Sequence, residues 1–384
     1  MRTPTTASVS RRALLRGGAA ACAAALLGCG TAGTAVGAQR LRLLGEATLP
    51  HRMRFKGTTV GGLSALDFDP VSGLWVALSD DRSKLQPARF YTLRIAIGTD
   101  RLHVELLDVV ALRQASGQPY PSRRVGGDVV DPEGLRLLPD GRGLLWTSEG
   151  DARLKLQPAL TESRLDGSHV RSFDVPAVLQ FPPQPGTGPR LNHSFEGLAL
   201  TPDGRIAWVA MEAPLQQDGP QPTVGAAGGP CRFTAFDLAT GRAVRQRAYV
   251  PDAIPRPPLV PGGNAENGVP EILMIDAHRM LVLERSYAIG VGTSLRLYEV
   301  DTRDGTDTLA LATLQPGALR PLAKRPVADF AGLGLSRTDN TEGMAWGPPS
   351  ASGRRTLVVV SDDNFNPLQV TQFAAFEYLD QDAP

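Results

Sequence analysis

Residues 338–365 read TDNTEGMAWGPPSASGRRTLVVVSDDNF. The stretch opens on a Glu-Gly pair, Glu342-Gly343, and runs through a short apolar segment into a Pro/Gly/Ser turn. A second apolar segment follows and closes on Ser361-Asp362-Asp363-Asn364. Pro pre-sets one turn angle and Gly or Asp tolerates the next, so two apolar runs around such a turn predict a β-hairpin.

Weaker copies of the unit recur upstream. One runs from Gly61-Gly62-Leu63 to Ser79-Asp80-Asp81-Arg82, and another from Glu133-Gly134-Leu135 to Ser148-Glu149-Gly150-Asp151. A third runs from Glu196-Gly197-Leu198 to Met211-Glu212, and a fourth, the weakest, from Glu271 to Glu284-Arg285. With Glu342 the starts step by 72, 63, 75 and 71 residues. Two further strand-like segments follow most units: residues 90–97 with 103–110, 232–238 with 245–250, and 298–301 with 308–314. Four antiparallel strands per repeat, with no helix-period segment, predict an all-β fold, a β-propeller. The last unit stops after a third strand, residues 369–378, while a strand-like segment, 41–49, precedes the first unit. It can supply the missing outer strand and close the ring. Five blades are favoured; six remain open if one of the Pro/Gly-rich spacers (214–230, 251–270 or 315–338) hides a degenerate blade. These spacers read as long loops on a single domain, residues 41–384.

Residues 1–38 read as an export leader. Ser10-Arg11-Arg12-Ala13-Leu14 matches a twin-arginine signal, and the apolar stretch behind it is too short and small-sided for a membrane span. Two processing sites stay open: a lipobox ending at Cys29, or a signal-peptidase site after Ala38. The expected location is periplasmic, either free or as a membrane-anchored lipoprotein. The whole chain has 40 basic and 39 acidic residues; without the four leader arginines the balance is 36 to 39, or −3. So small a charge gives no basis for nucleic-acid binding. Cys22 and Cys29 lie in the leader, which leaves Cys231 without an internal disulfide partner and most readily a small buried residue. The tryptophans, Trp75, Trp146, Trp208 and Trp346, read as packing between blades. The expected form is a monomer.

In a propeller the first strand of each blade lines the axis. If it begins on one face, the antiparallel second strand ends there. The Glu residues that open first strands (Glu133, Glu196, Glu271, Glu342) then meet the acids that close second strands: Asp80, Asp81, Glu149, Asp151, Glu212, Glu284, Asp362 and Asp363. Clustered carboxylates call for arginines, cations or raised pKa values. Arg82, Arg153 and Arg285 stand beside the closers, and a hard cation such as Ca²⁺ accepts an all-oxygen set. No His or Cys spacing suits zinc. The bland reading is that Glu-Gly and Ser-Asp-Asp only build turns. No Gly-x-Ser-x-Gly elbow and no phosphate-gripping Lys loop occur, so any hydrolysis points to metal-activated water.

The segments GGLSALDFDP, DPEGLRLLPDG, SFEGLALTPDGRIAWVAMEAPLQQDG and DNTEGMAWGP with LVVVSDDNFNPLQVTQFAAFE resemble the phytase-like, "esterase-like activity of phytase" family of exported bacterial proteins. The resemblance spans roughly residues 45–380 and implies a propeller with esterase or phosphoesterase activity on a small-molecule substrate. Calcium use is an analogy to β-propeller phytases, a separate group. On this reading Asp80, Asp81, Glu133, Glu149 and Asp363 hold metal, and Arg82 and Arg285 grip the substrate. Glu342, Asp362, Glu196 and His193 act on it. Gly61 stands where the other units have Glu. The alternatives are a non-catalytic binding propeller and a lactonase-like metal hydrolase.

Overall fold

The computed structural model describes residues 39–98, 101–182, 186–315 and 317–380, all within one compact unit, Gly37–Pro384. The leader, with Cys22, Cys29 and both processing sites, lies outside the described residues. Five four-stranded antiparallel sheets form a five-bladed propeller. From the axis outward, blade 1 is Leu63–Asp69, Leu74–Ser79, Arg89–Ile97 and Leu102–Ala111. Blade 2 is Pro132–Leu137, Leu144–Ser148, Ala159–Ser163 and His169–Ser172. Blade 3 is Phe195–Leu200, Ile206–Met211, Cys231–Asp237 and Arg242–Tyr249. Blade 4 is Ala265–Met274, Arg279–Ala288, Gly292–Asp301 and Lys324–Asp329. Blade 5 is Thr341–Gly347, Thr356–Ser361, Gln372–Tyr378 and, from the other end of the sequence, Leu41–Thr48. The expected closing strand is therefore in place, paired antiparallel from Leu41–Tyr378 to Thr48–Gln372.

The strands read as unbroken apolar runs because both faces of each blade are covered. In the second strand of blade 5, Leu357 and Val359 pack toward blade 4, whereas Val358 and Val360 pack toward blade 1. This is the two-residue period of a strand serving two neighbours at once. The described core falls into five clusters, one in each gap between adjacent blades. Trp75, Trp146 and Trp208 sit in these gaps, and Cys231 is fully buried in the gap between blades 3 and 4.

One strand expectation fails. Residues 308–314 are not a strand; the outer strand of blade 4 is Lys324–Asp329, inside the spacer read as loop. Thr308 is instead tied to the neighbouring blade, its backbone N–H donating to the Gln246 carbonyl at 3.0 Å. The apolar pattern that imitates a strand there belongs to a loop fastened across the gap, with Leu314 buried.

Candidate functional site

All five inner hairpins share a device. In each, the pairing register slips near the start of the inner strand: between Leu63 and Ala65, Pro132 and Leu135, Phe195 and Leu198, Gly268 and Glu271, and Thr341 and Gly343. A β-bulge at this position re-aims one side chain. The residue that follows the last one paired before the slip is Ser64, Glu133, Glu196, Val269 or Glu342 in blade order. Across the hairpin, the residue that follows the partner of the last one paired before the slip is Asp80, Glu149, Glu212, Ser286 or Asp362; in blade 4 the pairing continues past it to Ala288. Blades 1, 2, 3 and 5 thus send carboxylates to one mouth. Blade 4 sends none from these two positions and supplies Arg285 instead.

This register corrects three expectations. Glu271 does not open a strand at the mouth; it lies deeper in the channel, where it pairs with Arg136 at 2.9 Å. Glu284 does not reach the mouth either. It is buried between blades 3 and 4, accepting from the Tyr249 hydroxyl at 2.6 Å and the Lys324 ammonium at 2.6 Å. In blade 1 the position equivalent to Glu is Ser64, not Gly61. Gly61 and Gly62 make room rather than bind: a Cβ on Gly62 would stand 2.0 Å from Asp80 Oδ1 and 2.7 Å from the Phe365 ring. The glycine pair is the seat that lets both groups approach.

The mouth opens onto a cavity of about 610 Å³. Asp80, Asp81, Arg82, Glu133, His193 and Glu196 line it, as do Glu212, Arg285, Glu342 and Asp362. Glu149 and Asp131 are buried just behind it, within ion-pair reach of Arg82. Asp81 and Asp363 have their oxygens engaged otherwise. Asp81 accepts from the N–H groups of Lys84, Leu85 and Gln86 and from Arg89 at 2.8 Å. Asp363 accepts from the Gly62 and Phe365 N–H groups and meets His51 at 3.2 Å. Asp151 caps a short 3-10 turn and pairs with Arg123 at 3.2 Å. At these three positions the turn-building reading describes the observed bonds.

Two groups of carboxylates share Glu149. Asp131, Glu133 and Glu149 bring one oxygen each within 4.8 Å of one another, and so do Glu149, Glu196 and Glu212. Burial pushes the carboxyls of Asp80, Glu133, Glu149, Glu196 and Asp362 well above their usual range, and the neighbouring carboxylates add to it. Glu342 is pushed up to about 7 by burial, against the opposing pull of Arg285. Asp80 Oδ1 and Asp131 Oδ1 are buried without a hydrogen-bond partner among the described residues. Buried oxygens left unpaired among clustered carboxylates fit a hard divalent cation, with Arg82 offsetting part of the charge.

The cationic groups are organised around Arg285 and Arg82. Arg285 donates to Glu212 Oε1 at 2.8 Å and Asn340 Oδ1 at 2.6 Å, with Glu342 at 3.7 Å. Arg82 pairs with Asp131 and donates to Asn192 Oδ1 at 2.5 Å. His193 Nδ1 meets Glu212 Oε2 at 2.7 Å. Burial works against the charged imidazole, but Glu212 outweighs it and raises the His193 pKa. Glu212 itself is drawn below its usual range because His193 and Arg285 overcome its burial.

A family model described as "Phytase-like: Esterase-like activity of phytase" matches residues 58–365. The chain belongs to this phytase-like family. No curated protein matches it in sequence. Among solved structures, hydrazine synthase of Kuenenia stuttgartiensis is similar at 12% identity and a TM-score of 0.33, over 85% of this chain and 67% of that one. A periplasmic gluconolactonase of Pseudomonas aeruginosa is similar at 15% identity and a TM-score of 0.35, over 84% and 87%. Likeness at this level carries no functional argument.

Sequence reading missed Asp131, Asn192 and Asn340 in this phytase-like chain. All three precede an opener by two to four residues: Asp131 before Glu133, Asn192 before Glu196 and Asn340 before Glu342. The Asx residues ahead of the bulge were the available signal. Glu266 was missed for another reason: the hairpin of blade 4 runs past the others, pairing Ala265 with Ala288, and lifts Glu266 to the rim. No helix among the described residues is long and apolar enough to cross a membrane.

Proposed function

We propose that this phytase-like chain is an exported hydrolase of phosphate or carboxylate esters and that the acidic mouth is its active site. The observation that carries the reading is the meeting, at one cavity and just behind its wall, of two carboxylate groups sharing Glu149 with two arginines and a paired histidine. Asp131, Glu133 and Glu149 would hold a hard divalent cation such as Ca²⁺, with Asp80 facing it. When bound, the cation offsets the carboxylate charge and polarises the ester or phosphoryl oxygen.

The chain's own residues supply the rest. Arg285 and Arg82 orient the anionic part of the substrate through paired N–H donors. Glu342, titrating near neutrality, takes the proton from the attacking water. His193 is held at Nδ1 by Glu212, which leaves Nε2 to give its proton to the departing alcohol. Glu196 and Asp362 set the field around these two groups. The twin-arginine motif supports export through that pathway.

The test is hydrolysis of phytate, p-nitrophenyl phosphate and p-nitrophenyl acetate by the folded domain, with calcium and with chelator. Calcium-dependent turnover of at least one, lost in Glu342→Gln, supports the reading. A calcium-dependent rise in melting temperature without turnover of any of them points instead to a binding propeller.

A further inference from the structure

The channel has a second mouth. Where the inner strands end, around Phe68, Leu137, Leu200, Met274 and Trp346, a cavity of about 800 Å³ opens on the face opposite the acids. Its walls are mostly apolar, and Arg136 forms its floor toward the acidic side. A volume of this size, apolar with a few polar groups, suits a small molecule.

Two cationic features face it. The Arg355 guanidinium lies 3.7 Å above the Trp346 ring and donates to the Ile275 carbonyl at 2.7 Å. Among the described residues it has no carboxylate within ion-pair distance; the nearby Asp276 and Asp380 are engaged by Arg279. Arg136 is buried, and its Nε has no hydrogen-bond partner among the described residues. The two carboxylates at the cavity, Asp67 and Asp69, already accept hydrogen bonds from the chain. Asp69 accepts from Val71 and Ser72 in its own turn. Asp67 accepts from the Leu137 N–H, and burial raises its pKa against the pull of Arg136.

We propose that this cavity binds a small amphipathic anion, an apolar chain or ring ending in a carboxylate, with the tail among Phe68, Leu137 and Met274 and the head on Arg355. The guanidinium is held over the Trp346 ring and tied to the Ile275 carbonyl, so little freedom is lost when it binds. The site is independent of the acidic mouth and of its chemistry.

The fluorescent apolar anion 1-anilinonaphthalene-8-sulfonate, titrated into the folded domain, tests it. Saturable binding of one molecule per chain is expected, displaced by octanoate at a concentration at least about tenfold below that of octanol, the increment of one charge-assisted pair. Arg355→Met, an exposed position whose stem packing methionine preserves, should abolish the preference for octanoate with an unchanged circular dichroism spectrum and melting temperature. Absence of saturable binding overturns the proposal. Equal displacement by octanoate and octanol, an unaltered preference in Arg355→Met, or sedimentation as a dimer that excludes the dye does so too.

Discussion

Arg136 of blade 2 and Glu271 of blade 4 meet across the propeller axis, Nη2 to Oε2, at 2.9 Å. Both are buried, and the pair stands between the acidic mouth and the apolar one. Arg136 also donates to the Leu66 carbonyl of blade 1 and the Ile272 carbonyl of blade 4, while Glu271 accepts from the Leu198 N–H of blade 3. Four inner strands are thus tied at one point.

Removing half of that tie is costly. Arg136→Met should lower stability by about 3–5 kcal/mol, because it leaves Glu271 buried and uncompensated. Glu271 is already pushed up to about 7 by burial, and losing Arg136 raises it further. The loss should therefore be smaller at pH 5, where the acid is neutral, than at pH 8. Arg136→Met with Glu271→Leu should recover most of it. Urea unfolding at both pH values checks this; a loss independent of pH would sink it.

The acidic mouth makes a second pH prediction. The carboxyls of Asp80, Glu133, Glu149, Glu196 and Asp362 have folded pKa values raised above their unfolded ones, and Glu342 reaches about 7. The folded state then holds more protons than the unfolded state above about pH 4, so stability falls as pH rises through the folded values. Without divalent cations, the melting temperature should drop between pH 5 and 8. Calcium should reverse the drop, worth about 2.7 kcal/mol at a hundredfold excess over Kd. Glu149→Gln, which removes the acid shared by both carboxylate groups, should cancel the calcium effect.

Glu212 meets His193 and raises its pKa, and it anchors Arg285. Glu212→Gln should lower the His193 pKa, since the charge that raises it is gone. The basic limb of the pH–rate profile should move to lower pH, with activity down by roughly a hundredfold. Titration of the His193 ring protons by NMR reads the same shift without turnover, and an unmoved titration would refute the pairing.

Gly62 has a φ of 61° and no room for a Cβ beside Asp80 and Phe365. Phe365 itself adopts a φ of 51°, which is unusual for a bulky residue. Gly62→Ala should destabilise by about 1–3 kcal/mol and displace Asp80 from the mouth. Thermal unfolding and the calcium-dependent shift measure the two consequences separately. An Ala variant as stable as the parent would mean that the loop carrying Phe365 gives way easily.

The five blades and the closing strand were legible in the sequence because their causes are local. A Pro/Asp/Gly turn between two short apolar runs makes a hairpin wherever it occurs, and four such units with a weaker fifth favoured a five-bladed ring while leaving six blades open. The family resemblance rested on the same motifs. Which acids face the cavity was a different matter. Ser-Asp-Asp at residues 79–81 and 361–363 gives its two acids different tasks: the first lines the mouth, whereas the oxygens of the second are bonded mainly by backbone N–H groups, although Asp81 also borders the cavity. Glu271 and Glu284 read as an opener and a closer, and the register puts both elsewhere. A strand alternates its side chains residue by residue, so one step of register turns a mouth residue into a packing residue. That step is set by the bulges and by contacts between blades far apart in the chain. The strands' order was therefore written in local chemistry, while the orientation of each carboxylate was settled only when the ring closed.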